Sequence, residues 1–220
     1  GDGDRCIVID DKGEILPLDV QLAIMIEHEL ENSKNKLKNQ NKKIVTTVEA
    51  SLIVRDAIER NGGEAITTNV GSVYVSDVLE KENAYFGGEP CGEYVFSKAT
   101  HAADGVLVAA KFLEIIVEKG KLSELRKKYK TYPILRDKFK CGNKDKYEII
   151  KKIKDKIKSE LKFDGKINEN DGIRIDEQDG WFLIRASGTE NIIRLTMEYK
   201  DKRKLEKRAE ELKGIIRSNI

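Results

Sequence analysis

The sequence predicts an α/β fold in two parts, a mixed three-layer α/β domain followed by an α+β domain on an antiparallel sheet. From Lys43 onward, short β-rich runs alternate with amphipathic helical stretches, the pattern of a parallel-sheet unit. Between Thr131 and Asp145 that pattern lapses into a connector marked by Pro133, Gly142 and a lysine-rich run. Beyond it the order becomes helix, strands, helix, which suits helices laid on one face of an antiparallel sheet.

Taken in order, Cys6 to Ile9 is β-rich, and Asp10-Asp11-Lys12-Gly13-Glu14 is a turn leading to Ile15-Leu16. Leu22, Met25, Ile26 and Leu30 recur at helical spacing and predict a helix from Leu18 to about Lys38; the polar stretch Lys34 to Lys43 reads as its solvated end and a loop. A strand at Lys43 to Val48, a helix from Ser51 to Asn61 stopped by Gly62-Gly63, and a strand at Ala65 to Val70 follow. Tyr74 to Lys81 predicts a short helix and Ala84 to Phe86 a strand, which opens into a glycine-rich loop. An apolar helix from about Ala103 to Glu118 ends before Gly120, and a charged helix covers Ser123 to about Tyr129. In the second part we expect a helix at Lys146 to Leu161, strands at Gly172 to Asp176, Trp181 to Ala186 and Ile192 to Tyr199, and a closing helix at Lys202 to Arg217. Trp181 and Phe182 read as packing residues.

Charged residues make up 36% of the 220, yet 41 Lys+Arg against 39 Asp+Glu leave a formal net charge of +2. No excess field draws the whole molecule toward nucleic acid or membrane, so neither is expected as a partner. Cys6, Cys91 and Cys141 are odd in number and far apart, which argues against a disulfide framework or zinc site and for a reducing cytoplasm. His28 and His101 are the only histidines, so cysteine or serine nucleophile chemistry lacks a base.

Three loops remain that could carry chemistry. RASGTENIIR sets Arg185 and Arg194 around a Ser187-Gly188-Thr189 turn; planar forks, short hydroxyls and approachable backbone are what a phosphate dianion takes. At the start, Asp2 and Asp4 alternate with glycine ahead of Arg5, and carboxylate oxygens suit a hard cation such as Mg²⁺. The loop Gly88 to Tyr94, GEPCGEY, places Glu89 where it could accept hydrogen bonds from sugar hydroxyls.

In this order along the chain, the three loops resemble the second half of an α-D-phosphohexomutase, the superfamily of phosphoglucomutase, phosphomannomutase and phosphoglucosamine mutase. The resemblance covers essentially the whole chain. It implies four domains around one cleft: a phosphoserine loop in the first, a D-G-D-G-D-R magnesium loop in the second, a G-E-x-S-G-H sugar loop in the third and an R-x-S-G-T-E-P-x-x-R phosphate loop in the fourth. On this pattern Asp2 and Asp4 match the later two aspartates of the magnesium loop and Arg5 its trailing arginine. Glu89 matches the sugar-loop glutamate, Cys91 stands where Ser is usual, and Glu93 stands where His is usual. Arg185, Ser187, Gly188, Thr189 and Arg194 fall on the phosphate loop, with Asn191 in place of proline. Gly71-Ser72 resembles a further substrate loop.

The implied division is 1–16 as a remnant of the second domain, 17–138 as the third and 139–220 as the fourth. The implied activity is transfer of a phosphoryl group between the 1- and 6-positions of a hexose or hexosamine phosphate, through a phosphoserine and a bisphosphate, with Mg²⁺. The serine loop T-A-S-H-N-P is absent from the sequence, and Ser72 and Ser187 do not replace it. We therefore expect a C-terminal portion that binds sugar phosphate without isomerising it, preceded in its parent by roughly 200 residues of missing mutase domains. The alternative is a stand-alone, non-catalytic sugar-phosphate binding module.

Overall fold

The structure, a computed structural model, describes residues 2–36, 42–142 and 145–220. The chain divides into two compact units, Gly1–Thr131 and Tyr132–Ile220. Residues 37–41 of the predicted polar stretch Lys34 to Lys43, and with them the end of the helix predicted to reach Lys38, lie outside the described residues.

The first unit runs α1 (Leu18–Lys36), β1 (Lys43–Thr47), α2 (Leu52–Arg60), β2 (Glu64–Thr68), α3 (Ser72–Lys81), β3 (Phe86–Gly88), β4 (Tyr94–Phe96), α4 (Gly105–Lys119) and a single turn α5 (Leu122–Leu125). Its sheet has the order β2-β1-β3-β4, with β1 parallel to both neighbours and β4 antiparallel to β3. The period-two pleat of β1 sends Ile44 and Val45 to opposite faces. Ile44 joins Leu22, Met25, Ile58, Phe86 and Phe112 in the larger core, and Val45 joins Val75, Leu79, Ala84 and Val95 under α3, which makes three layers. Asp104 caps α4 by accepting from the Leu107 amide (2.9 Å), and Gly120, at φ +87°, ends the helix.

Two expectations in this unit change. Cys6 to Ile9 forms only isolated bridges, Arg5 with Glu93 and Ile9 with Ile15, because its polar groups go elsewhere. Gln21 donates to the Cys6 carbonyl (2.7 Å) and accepts from the Val8 amide (3.0 Å). The charged helix expected through Tyr129 is α5 followed by a 3₁₀ turn at Arg126–Lys128.

The second unit runs β5 (Ile134–Lys140), α6 (Lys146–Glu160), β6 (Gly165–Asn168), β7 (Ile173–Glu177), β8 (Gly180–Ala186), β9 (Ile192–Tyr199) and α7 (Lys202–Arg217). The sheet is wholly antiparallel in the order β5-β9-β8-β7-β6. Ile149, Ile153 and Ile157 of α6 and Leu205, Leu212 and Ile216 of α7 pack with Phe182, Ile184, Leu195 and Met197 in one core. Tyr199 donates to Glu177 (2.7 Å), which also pairs with Arg208 (2.6 Å), tying α7 to the sheet. Trp181 is buried, and its indole donates to Glu198 opposite it (2.8 Å).

The segment read as a connector is in part a strand. β5 pairs with β9 along its length, so the domain boundary expected after 138 lies inside an element of the second unit. No helix of the described residues is long and apolar enough to cross a membrane.

Candidate functional site

The loop between β3 and β4 is built on glycines that backbone and core require. A Cβ on Gly87 would lie 2.7 Å from Val75, and one on Gly88 would lie 2.6 Å from Tyr94. The Glu89 amide donates to the Glu93 carbonyl (2.9 Å), closing a turn that Gly92 completes at φ +92°. A Cβ on Gly92 would meet the Cys6 carbonyl at 2.8 Å, and Cys6 in turn donates to the Gly92 carbonyl (3.1 Å). This loop therefore sits directly against residues 5 and 6.

Two carboxylates are buried there, Glu89 at 3% exposure and Glu93 at 7%. Buried charge requires a partner, and both have one. Gly71, at the entrance to α3, donates its amide to Glu89 (3.0 Å), so the Gly71-Ser72 loop and Glu89 are brought together. Arg5 holds Glu93 through both Nε and Nη2, each 2.8 Å from Oε1, and that pairing raises the Arg5 pKa. Cys91 lies between the two carboxylates. Burial and then their charges push its thiol up to about 11, so at neutral pH it is a neutral donor and not a nucleophile.

Asp2-Gly3-Asp4 is seated on the N-terminus of α4. The Gly105 amide donates to the Gly3 carbonyl (2.9 Å), and a Cβ on Gly105 would lie 2.5 Å from the Arg5 carbonyl. A hydrogen bond with Asp2 holds Asp4 above the usual carboxylate range, and the charges of Asp2 and Glu93 act in the same direction. Asp2 and Asp4 hydrogen-bond to each other beside the Glu93 carboxylate, an oxygen donor set compatible with a hard divalent cation such as Mg²⁺. Ligand atoms of Glu89, Cys91 and Glu93 also lie within 4.8 Å of one another, a set able to hold a softer cation.

In the second unit, β8 and β9 deliver RASGTENIIR as a hairpin closed by the Ser187 amide on the Ile192 carbonyl (3.0 Å). Arg185 and Arg194 face each other directly across the two strands. Like charges opposite one another in a sheet repel, and an anion between them removes the cost. Carboxylates take part of that role: Asp171 lies 3.6 Å from Arg185, and Glu190 lies 2.8 Å from Arg194. Arg194 reaches toward the buried Ser187 hydroxyl (3.5 Å), while its Nε is buried without a hydrogen-bond partner. Thr189 is exposed, and a Cβ on Gly188 would meet nothing within 4 Å, which leaves the turn open to an approaching ligand.

Two features of this hairpin are not evident in the motif. Lys146, at the start of α6, donates to the Ser187 (2.6 Å) and Glu190 (3.1 Å) carbonyls and adds a third cation beside the arginines. Asn191 donates to the Gly142 carbonyl (2.9 Å), so a side-chain tether stands where the motif has a proline.

The sequence matches two family models: the phosphoglucomutase/phosphomannomutase alpha/beta/alpha domain III over residues 18–132, and the C-terminal domain of the same family over residues 138–215. A probable phosphoglucosamine mutase of Methanosarcina acetivorans is 39% identical over 202 residues, 92% of this chain and 43% of the relative. One from Pyrococcus horikoshii is 36% identical over 220 residues, 100% of this chain and 47% of its own length. A solved phosphoglucomutase/phosphomannomutase family protein from Burkholderia thailandensis superposes with a TM-score of 0.83 at 24% identity, over 100% of this chain and 45% of that one. The N-acetylphosphoglucosamine mutase of Aspergillus fumigatus, solved with GlcNAc-6P and magnesium, gives 0.70 at 16% identity over 100% of this chain and 48% of that one, a likeness of fold. The chain spans about half the length of the curated relatives it matches. With models covering residues 18–132 and 138–215, the chain belongs to the phosphoglucomutase/phosphomannomutase family.

Proposed function

We propose that the chain is the substrate-holding portion of a phosphohexomutase that moves a phosphoryl group between the 1- and 6-positions of a hexosamine phosphate. The observation that carries the phosphate assignment is the cross-strand Arg185 and Arg194 pair with an unpartnered Arg194 Nε beside the Ser187 hydroxyl. In this reading the two guanidiniums displace Asp171 and Glu190 in favour of the non-reacting phosphate of the substrate. Ser187, the Gly188 and Thr189 backbone and the Thr189 hydroxyl complete its hydrogen bonds.

Glu89 accepts from sugar hydroxyls, and Cys91 offers a thiol at the position where the family has a hydroxyl. Glu93, locked to Arg5, presents a carboxylate oxygen where the family has an imidazole. The names of the relatives favour an amino sugar, from whose amino group the Glu93 carboxylate can accept a hydrogen bond. Asp2 and Asp4 would hold Mg²⁺, which offsets charge on a transferring phosphoryl group. The phosphoryl donor, a serine loop, is not among these 220 residues, so the chain binds and orients but does not isomerise.

The test is calorimetric titration of the chain with glucosamine 6-phosphate, glucose 6-phosphate and inorganic phosphate, alongside a coupled mutase assay. Binding of all three without turnover, with the amino sugar tightest, is expected. Absence of phosphate-dependent heat would reject the assignment.

A further inference from the structure

Strand β5 alternates between two roles. Leu135 and Phe139 pack against the core that holds α6 and α7, and Asp137 between them pairs with Lys213 of α7 (3.1 Å). The pleat therefore sends Arg136, Lys138 and Lys140 to the opposite face of the sheet, and all three are exposed.

That face also carries the two arginines of the hairpin. Lys138 lies directly opposite Arg194 on β9, and Arg194 directly opposite Arg185 on β8, so three cations stand in one row across three adjacent strands. One step toward the turn, Lys140 lies opposite Ile192, whose carbonyl accepts from the Ser187 amide, and a second row runs from Lys140 to Ser187. Like charges directly opposite each other in a sheet cost stability. Carboxylates offset only one end of the first row. Asp171 stands by Arg185 and Glu190 by Arg194, while among the described residues neither Lys138 nor Lys140 has an ion-pair partner.

We propose that Lys138 and Lys140 form a second anion subsite beside the Arg185 and Arg194 pair, and that the combined site takes a ligand with two linked phosphoryl groups, a diphosphate. The proposal rests on the reading of the hairpin as an anion site and extends that site by one strand. Neighbouring strands are about 4.8 Å apart, so one phosphoryl group held between the two arginines leaves Lys138 a further strand away. A second group, joined to the first through a bridging oxygen, comes within reach of the lysine ammoniums. The residue types suit the division: planar guanidiniums fork the inner group, and flexible lysines bring point charges to the outer one.

The experiment is calorimetric titration of the 220-residue chain at low ionic strength with inorganic phosphate and with pyrophosphate. Pyrophosphate should bind about tenfold tighter. In the paired variant Lys138→Gln with Lys140→Gln that preference should fall to about twofold or less, while phosphate affinity stays within about twofold of its original value. A control with the same change in net charge, Lys151→Gln with Lys152→Gln on the exposed face of α6, should keep the full preference. Adenosine 5′-diphosphate as a third titrant separates the two sources of a diphosphate: affinity matching pyrophosphate supports an esterified ligand, and weaker affinity supports the free anion. Phosphate binding with no preference for pyrophosphate would overturn the proposal and leave the hairpin reading intact. So would a preference that survives loss of Lys138 and Lys140, or one that the control variant loses equally. A chain that binds neither anion would overturn both readings together.

Discussion

The turn at Glu89 to Glu93 and the turn at Ser187 to Asn191 both join antiparallel strands, yet they solve opposite electrostatic problems. The first buries its carboxylates and must satisfy them internally, with Arg5 for Glu93 and the Gly71 amide for Glu89. The second places two arginines opposite each other, lends them Asp171 and Glu190, and leaves Arg194 Nε without a partner. The difference teaches where ligand binding gains most. A carboxylate already held by protein groups can accept a hydroxyl hydrogen bond but has little charge to give, whereas a guanidinium pair with one unpartnered nitrogen can add charge-assisted bonds to an anion.

That contrast breaks first at the arginines. Replacing both Arg185 and Arg194 by alanine removes at least two charge-assisted bonds, about 3 kcal/mol, so affinity for glucosamine 6-phosphate should fall by roughly a hundredfold in calorimetry. Melting curves taken alongside separate this from lost packing, since Arg185 is largely buried. Next in size is the reactivity of Cys91. With its thiol pushed up to about 11, alkylation at about pH 8 should run roughly a hundredfold slower than for a free cysteine and accelerate as pH approaches that value. Site-resolved mass spectrometry distinguishes it from Cys6.

How much of this was readable in the sequence depends on how local each feature is. The basic hairpin was legible because its cations, hydroxyls and glycine lie within ten residues on two adjacent strands. The Arg5 and Glu93 pairing was not, since 88 positions separate the partners and only the fold brings them together. Lys146 was hidden for the same reason; in sequence it is one lysine of many at a helix start. β5 was read as a connector because Ile134-Leu-Arg-Asp-Lys-Phe-Lys140 carries the charges that edge strands use against aggregation, and those mask its alternation. The ribbon at Cys6 to Ile9 erred in the other direction: its β-rich composition is genuine, but Gln21 takes the backbone groups a strand partner would take.

Two smaller effects sharpen the comparison. Glu89→Gln keeps the shape of the first turn but removes its charge, so glucosamine 6-phosphate should bind about tenfold more weakly while inorganic phosphate binds as before. A parallel loss for both ligands would mean that Glu89 acts on the phosphate and not on the sugar. Lys146→Ala removes the tether on the Ser187 and Glu190 carbonyls without touching either arginine, and phosphate affinity should fall by about threefold, on the order of 0.7 kcal/mol.

The most direct measurement follows the unpartnered nitrogen itself. In two-dimensional proton–nitrogen NMR of the labelled chain, titration with inorganic phosphate should move the Arg194 side-chain Nε resonance together with the Gly188 and Thr189 amides, in one saturable transition. If those signals stay fixed while phosphate binds elsewhere, or while nothing shifts at all, the basic hairpin is not the anion site and the account fails at its centre.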